Sequence, residues 1–263
     1  MSRRLLLRAY VQFSALFVDP KLLVDKWRAL PAFLRNLAHY RRANPSPAFR
    51  VRAAELYYTS YDRFAAAGAV RTHYFHQDLW AARQLRARGV TRHVDVGSRL
   101  DGFVAHVLPF CEVEYVDIRP LDVPVEGLTV RTGSILALPH ASDSVESLSC
   151  LHVIEHIGLG RYGDPIDPDG HVRAARELSR VLAPGGVLLL GTPVGRERLC
   201  FDAHRVFDPS TVLGMFDGLE LVEFAFIDDH GNGVSAAGVD AARRCEFGCG
   251  LFVFRKPAGG AAS

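Results

Sequence analysis

The 263-residue chain has no G-x-S-x-G nucleophile elbow and no phosphate-cradling P-loop, which removes the usual hydrolase and kinase arrangements. It has no internal repeat, and no low-complexity tract except the Gly/Ala tail after Pro257. With 49% hydrophobic and 23% charged residues it is far from a disordered composition. Cysteine is sparse: five residues, at 111, 150, 200, 245 and 249, an odd number without two close pairs. That excludes a disulfide framework and a four-cysteine zinc module, so reduced thiols in a cytoplasmic protein are expected, and no metal. No apolar run is long enough to span a bilayer. The first, MSRRLLLRAYVQFSALFV, is interrupted by Arg8 and Gln12 and lacks the small-residue pattern of a signal-peptide cleavage site. The net charge is only +2, so a whole-protein nucleic-acid binder is excluded.

That charge is unevenly placed. Residues 1–75 hold 13 Lys/Arg against 4 Asp/Glu, and the remainder holds 18 against 25. Helices are expected at 4–18 and at about 21–39, the second with Leu23, Trp27, Leu30, Leu34 and Leu37 in one stripe. Pro31 is expected to kink or divide it. Lys21, Lys26, Arg28 and Arg35 occupy the other face. Residues 1–47 therefore read as a basic amphipathic arm. It either packs on the body or docks on a partner or an anionic membrane surface, such as the inner membrane face. The polar, proline-rich stretch 42–47 is the expected boundary. Residues 48–89 read as a helical cap, with one helix over 48–67 and another that Asp78 is expected to cap, running through Trp80, Ala81 and Leu85 and stopping at Gly89. His73, Tyr74, Phe75 and His76 just before it suit packing or a lid over a cofactor.

From residue 90 to 257 strands and helices alternate, followed by a flexible tail at 258–263. Strands are expected at 93–97, 112–117, 127–132, 145–151, 186–192, 219–228 and 248–255, and helices at 100–108, 168–182 and 209–216. The fold class is α/β. We expect a Rossmann-like, seven-stranded, mostly parallel sheet with an antiparallel last strand and an N-terminal helical extension.

The sequence HVDVGSRLDGF (93–103) joins a short apolar strand to a helix through Gly97, where a ligand can approach the backbone. Counting 20 residues on from Gly97 reaches Asp117, at the end of the next strand. This is the arrangement in which a carboxylate takes ribose hydroxyls. A dinucleotide fits poorly: Arg99 replaces the middle glycine of G-x-G-x-x-G, and Asp95 and Asp101 would repel a diphosphate. S-adenosylmethionine fits better. It carries no phosphate, its cationic groups suit the aspartates, and its carboxylate suits Arg99.

These motifs resemble those of class I S-adenosylmethionine-dependent methyltransferases. DVGS (95–98) stands at the first cofactor motif and VDIRP (116–120) at the ribose-binding acidic residue. GSILALP (133–139) stands at the adenine-covering segment, and LAPGGVLLLGTPV (182–194) at the fifth strand. The resemblance implies S-adenosyl-L-methionine as cofactor, held by Asp95, Gly97, Ser98, Arg99, Asp117, Ile118, Ser134, Ile135, Leu136 and His152. HYFHQDLWAAR (73–83), LSCLHVIEHIGLGRYGDPIDPDG (148–170) and CFDAHRVF (200–207) are similar, more closely, to an uncharacterised methyltransferase-like family. That family is often found beside surface-polysaccharide genes, which implies polysaccharide biosynthesis.

Methyl transfer needs an aligned acceptor and, for a hydroxyl, a general base. His156, after the fourth strand, is the first candidate base, with Glu155 as its orienter, and His204 is the second. His152, Glu155 and His156 also suit packing or capping. The loop 158–170 and the segment after the fifth strand supply Arg161, Tyr162, Asp164 and Arg205, which with Tyr74 are the expected substrate contacts. Asp164, Asp167 and Asp169 have the chemistry of cation ligands, but Asp167-Pro168 reads more simply as a helix cap. The reading is O-methylation of a small-molecule or glycan-linked hydroxyl. Its alternative is a non-catalytic methyltransferase-like module docking on a membrane or a polysaccharide-biosynthesis assembly.

Overall fold

The computed structural model describes residues 19–44, 46–59, 63, 64, 68, 70–119, 121, 122 and 124–258, without the side chain of Glu55. The chain divides into two compact units, 1–69 and 70–263. No helix among the described residues is long and apolar enough to cross a membrane.

In the first unit, α1 (Pro20–Ala43) opens with proline in its first turn and Asp19 as its cap, accepting from the Lys21 amide at 2.8 Å. It continues as one helix through Pro31 and ends on Arg41 and Arg42, cations at the negative end of the helix dipole. Leu23, Trp27 and Leu34 are exposed, Trp27 by 73%. The helix expected at 4–18 lies outside the described residues. The helix expected over 48–67 is not observed. The described residues there hold one 3-10 turn, Ala53–Glu55, turns at 48–49 and 63–64, and irregular chain at 56–59. Tyr57, Tyr58 and Thr59 favour extended backbone. Tyr58 is also drawn to α1, where its hydroxyl donates to the Lys26 carbonyl and its ring meets Phe33 edge-on at 5.0 Å.

The second unit is a sheet with helices on both faces. Helix α2 (His73–Ala87) is capped by Thr72, whose hydroxyl accepts from the Phe75 amide at 3.3 Å. The expected cap, Asp78, is instead buried inside the helix. Then come β1 (Arg92–Val96), β2 (Glu112–Asp117), β3 (Leu128–Thr132), β4 (Val145–Leu151), α3 (Gly170–Val181) and β5 (Leu182–Val194). After them lie β6 (Arg198–Cys200), β7 (His204–Val206), α4 (Pro209–Met215), β8 (Glu220–Ile227), β9 (Val234–Ser235), α5 (Val239–Arg243) and β10 (Gly248–Arg255).

The main sheet has eight strands, one more than expected, in the order β3-β2-β1-β4-β5-β10-β8-β9. The additional strand is the two-residue β9 at the edge. Strands β1 to β5 pair in parallel, whereas β10 runs antiparallel to both β5 and β8. Strands β6 and β7 form a separate antiparallel ribbon.

Alternation along the central strands divides the core. Leu188, Leu190, Phe252 and Phe254 face α3 and α4, while Leu189, Cys249, Leu251 and Val253 face α2. Each fully buried Leu or Phe contributes roughly 1.5–3 kcal/mol. The helix expected at 100–108 is interrupted. A π-turn, Leu100–Val104, passes through non-helical Gly102 into the short helix Ala105–Val107. A side chain at Gly102 would meet the Asp78 carboxylate, so α2 packs here against bare backbone. Helix α3 also begins later than expected. Its cap position is Asp169, because the Asp167 carboxylate pairs with Arg173 and accepts from the Asp169 amide at 3.0 Å.

Candidate active site

The carboxyl ends of β1, β2 and β4 open into a cavity of about 300 Å³. This is where a parallel sheet leaves its strand ends exposed to ligands. Gly97, Asp117, Ile118, Ser134, Ile135, Leu136 and His152 line it, together with Arg99, Tyr74, His156, Tyr162 and Asp164. Gly97 has φ +72°, and a side chain there would press on Val153 at 3.1 Å. Glycine thus permits both the turn and the close approach.

Asp95 and Ser98, expected on the cofactor, do not line the cavity; they support it from below. The fully buried Asp95 carboxylate accepts from the Ser98 amide at 3.0 Å, from the Ser98 hydroxyl at 2.6 Å and from the Ser149 hydroxyl. Ser98 Oγ accepts in turn from the Leu151 amide at 3.2 Å, so the elbow is tied to β4. Burial pushes Asp95 up to about 6 despite these bonds. Beside it, burial lowers His93 to about 3, with its ring nitrogens 2.8 Å from Ser147 and Ser149.

Asp117 is fully engaged. Arg119 grips it through Nε–Oδ1 at 2.9 Å and Nη2–Oδ2 at 2.6 Å. The Arg119 amide and the Tyr115 hydroxyl donate as well, at 2.8 and 2.9 Å. Burial works to raise the Asp117 pKa, but these donors outweigh it and hold the carboxyl below its ordinary range. Arg119, absent from the sequence-based site, lines the cavity and lies over the Tyr162 ring at 5.0 Å. The motif VDIRP carried the signal, a guanidinium two residues beyond the acid. Arg99 is likewise paired, with Asp101 at 2.6 Å, and lies over the Tyr74 ring at 5.1 Å. Ser134 caps its own turn by accepting from the Leu136 amide at 3.2 Å.

Three residues after β4 form a connected group. His152, at φ +55°, meets Glu155 through Nδ1 at 2.7 Å. Burial disfavours the His152 cation, but Cys249 and Glu155 outweigh it and hold its pKa well above the ordinary value. Burial likewise opposes the Glu155 carboxylate, yet His152 and His156 hold it below its ordinary range. Glu155 does not line the cavity; Thr192 donates to its second oxygen at 3.3 Å. His156 does line it. Its Nδ1 lies 2.6 Å from the Ala203 carbonyl, so Nδ1 carries the proton and Nε2 the lone pair, 3.7 Å from Glu155.

The remaining expected contacts separate. His204 lies on β7 against Phe247 at 5.0 Å, outside the cavity lining. Arg205, expected on substrate, is a staple: it donates to the carbonyls of Glu155, Ile157 and Pro168 at 3.4, 2.7 and 3.3 Å. Arg161 donates to the Ala203 carbonyl at 2.9 Å, outside the cavity lining. Asp164 accepts from the amides of Gly158, Gly160 and Tyr162 at 2.6, 3.4 and 3.4 Å. Asp167 accepts from the Asp169 amide at 3.0 Å and pairs with Arg173.

A family model described as "Caenorhabditis protein of unknown function, DUF268" matches residues 139–246, the stretch holding His152, Glu155, His156, the loop and β6–β7. No curated protein matches the chain. Among solved structures, the chain is similar to N-methyltransferase NodS from Bradyrhizobium japonicum WM9 in complex with S-adenosyl-l-homocysteine. They share 16% identity at a TM-score of 0.52, over 86% of this chain and 98% of that one. The fold is a methyltransferase fold. A Burkholderia thailandensis 1,6-didemethyltoxoflavin-N1-methyltransferase with bound S-adenosylhomocysteine is similar at 14% identity and a TM-score of 0.51, over 69% of this chain and 78% of that one. The [4+2]-cyclase SpnF is similar at 17% identity and 0.52, over 69% and 80%. At such identities the likeness concerns architecture, and one architecture serves several reactions.

Proposed function

We propose that the chain is an S-adenosylmethionine-dependent methyltransferase acting on a hydroxyl of a small or glycan-linked acceptor. The observation that carries the reading is a single cavity with Gly97 on one wall, Asp117 on another and His156 on a third. The residues fit the cofactor. Val116, Ile135 and Leu136 offer an apolar surface for a base, Gly97 leaves room beside the elbow, and Asp117 offers acceptors for a ribose once Arg119 swings aside. The Arg119 side chain is 56% exposed, so it is free to do so.

The cofactor supplies an electrophilic methyl group on a sulfonium. The chain supplies position and a proton acceptor. Tyr74, Tyr162 and His156 line the same cavity and orient the acceptor there. Nε2 of His156 takes the hydroxyl proton, while the Ala203 carbonyl fixes the ring and Glu155 stabilises the resulting cation. Arg205 holds the carbonyls around this turn in place.

The test is methyl transfer from isotopically labelled S-adenosylmethionine into a panel of sugar and small-molecule alcohols. Product is expected with the unaltered protein, with a fall of about 10²- to 10⁴-fold in His156→Ala. Absence of both transfer and cofactor binding would instead leave a non-catalytic module. We also propose that the arm docks on an anionic membrane surface, a role supported by exposed Leu23, Trp27 and Leu34 beside Lys21, Lys26 and Arg28.

A further inference from the structure

We propose that His73, His152 and Cys249 form a zinc site on the wall of the cavity. They arrive from three elements far apart in sequence: the start of α2, the residue after β4, and the start of β10. One ligand atom from each lies within 4.8 Å of the other two. Among the described residues no other group of three His, Cys, Asp or Glu side chains converges in this way. Ligands round a tetrahedral zinc, at about 2.0–2.1 Å for nitrogen and about 2.3 Å for sulfur, are spaced about 3.4–3.6 Å apart. Closing the site therefore takes about 1 Å, within reach of small ring rotations of His73 at the first turn of α2.

Both histidines carry the outer partner that a metal-ligating imidazole needs. His152 commits Nδ1 to Glu155 at 2.7 Å, and Thr192 steadies the other oxygen of that carboxylate. His152 Nε2 is buried, makes no conventional hydrogen bond and is left to the Cys249 thiol, and the side chain is only 6% exposed. His73 bonds the Phe247 carbonyl through its ring, which leaves its second nitrogen for a ligand. The His73 and His152 rings lie parallel, 5.5 Å apart. Cys249 is fully buried, its sulfur 3.5 Å from Gln77 Oε1.

Two imidazoles and a thiolate suit zinc and are foreign to calcium or magnesium, which take oxygen ligands. Binding releases the Cys249 thiol proton, and any proton on His152 Nε2, to solvent. Three protein ligands leave a fourth position, the arrangement of a reactive zinc rather than a structural one. His152 also lines the cavity, so that position borders it. There the ion lowers the pKa of an acceptor hydroxyl, a role that rests on the methyltransferase reading, whereas metal binding itself does not.

The test uses full-length protein stripped with a chelator and titrated with Co²⁺, followed by displacement with Zn²⁺. One equivalent is expected, with the strong visible bands of tetrahedral cobalt and a sulfur-to-cobalt charge-transfer band in the near ultraviolet. Cys249→Ser is expected to lose the charge-transfer band, and Glu155→Gln to weaken binding by about 10- to 100-fold. Cys111→Ser, remote on the α2 face, is expected to retain both. The spectrum of the unaltered protein decides the matter even where a variant fails to fold. No charge-transfer band there, or one that survives Cys249→Ser, overturns the site. S-adenosylhomocysteine titrated into the same preparations separates the two readings: metal bound without nucleoside bound contradicts the methyltransferase while leaving the zinc site standing.

Discussion

At the scale of single residues, access of a ribose to Asp117 turns on Arg119. All the acceptor positions of Asp117 are filled by Arg119 and Tyr115, so a ribose must displace a bidentate, charge-assisted pair. The Arg119 side chain is 56% exposed although Asp117 is buried, and solvent screening at the guanidinium limits the pair's worth to about 1 kcal/mol. Arg119→Ala is therefore expected to bind S-adenosylhomocysteine about 5-fold more tightly by calorimetry. Weaker binding would mean that Arg119 contacts the ligand instead of competing with it.

His93 and Asp95 make a second prediction at this scale. His93 titrates at about 3 when folded against 6.5 when free, so its contribution is present above pH 6.5 and is lost as pH falls through that value. Asp95 is raised from 3.8 to about 6, so acidification through 6 stabilises the fold. Between about pH 7.5 and about pH 5.5 the two effects oppose each other, each on the order of 1 kcal/mol. In urea melts over that range His93→Gln, which removes only the first effect, should gain stability relative to the unaltered protein as pH falls. The same pH response in both would show that His93 does not control the acid limb.

At the scale of elements, the loop 158–170 is held by Arg205 from outside and Asp164 from within. Arg205→Ala strips partners from the Glu155, Ile157 and Pro168 carbonyls and should cost about 1–3 kcal/mol. Hydrogen exchange should accelerate across 157–168 while β1 and β2 stay protected. Uniform acceleration would mean that the staple supports the whole fold. Helix α1 carries a separate prediction: flotation with anionic liposomes should fall in Trp27→Glu, and equal flotation would leave its apolar stripe without a membrane role.

Seven strands of the main sheet are legible because each carries a period-2 or continuous apolar run between turn residues, so expected and observed ends agree for β2, β4 and β10, whereas the two- and three-residue strands β6, β7 and β9 are too short to leave such a pattern. Among the described residues of 48–67 no helix longer than Ala53–Glu55 forms: the apolar count there includes Tyr57 and Tyr58, which favour extended backbone, and Tyr58 is tied to α1. Helix 100–108 was misread because Gly102 answers to the approach of α2, which no local pattern reports.

For the whole molecule, the fold is a parallel sheet with an antiparallel hairpin end, and its strand termini gather Gly97, Asp117 and His156, residues 20 and 39 positions apart in sequence, into one cavity. That gathering was legible because Gly97 opens the turn after β1, Asp117 ends β2 and His156 closes the short turn that follows β4. The partners were not. Arg119 on Asp117, Glu155 under His152, and Cys249 beside His73 depend on side-chain direction and strand order, which residue spacing does not encode.

The most direct test of the central claim is calorimetric titration of the purified chain with S-adenosylmethionine and S-adenosylhomocysteine, repeated on Asp117→Ala. Saturable binding of both ligands is expected, weakened at least about 10-fold by the substitution, as loss of charge-assisted bonds to a ribose requires. No binding at millimolar ligand, or binding that ignores Asp117→Ala, would contradict it.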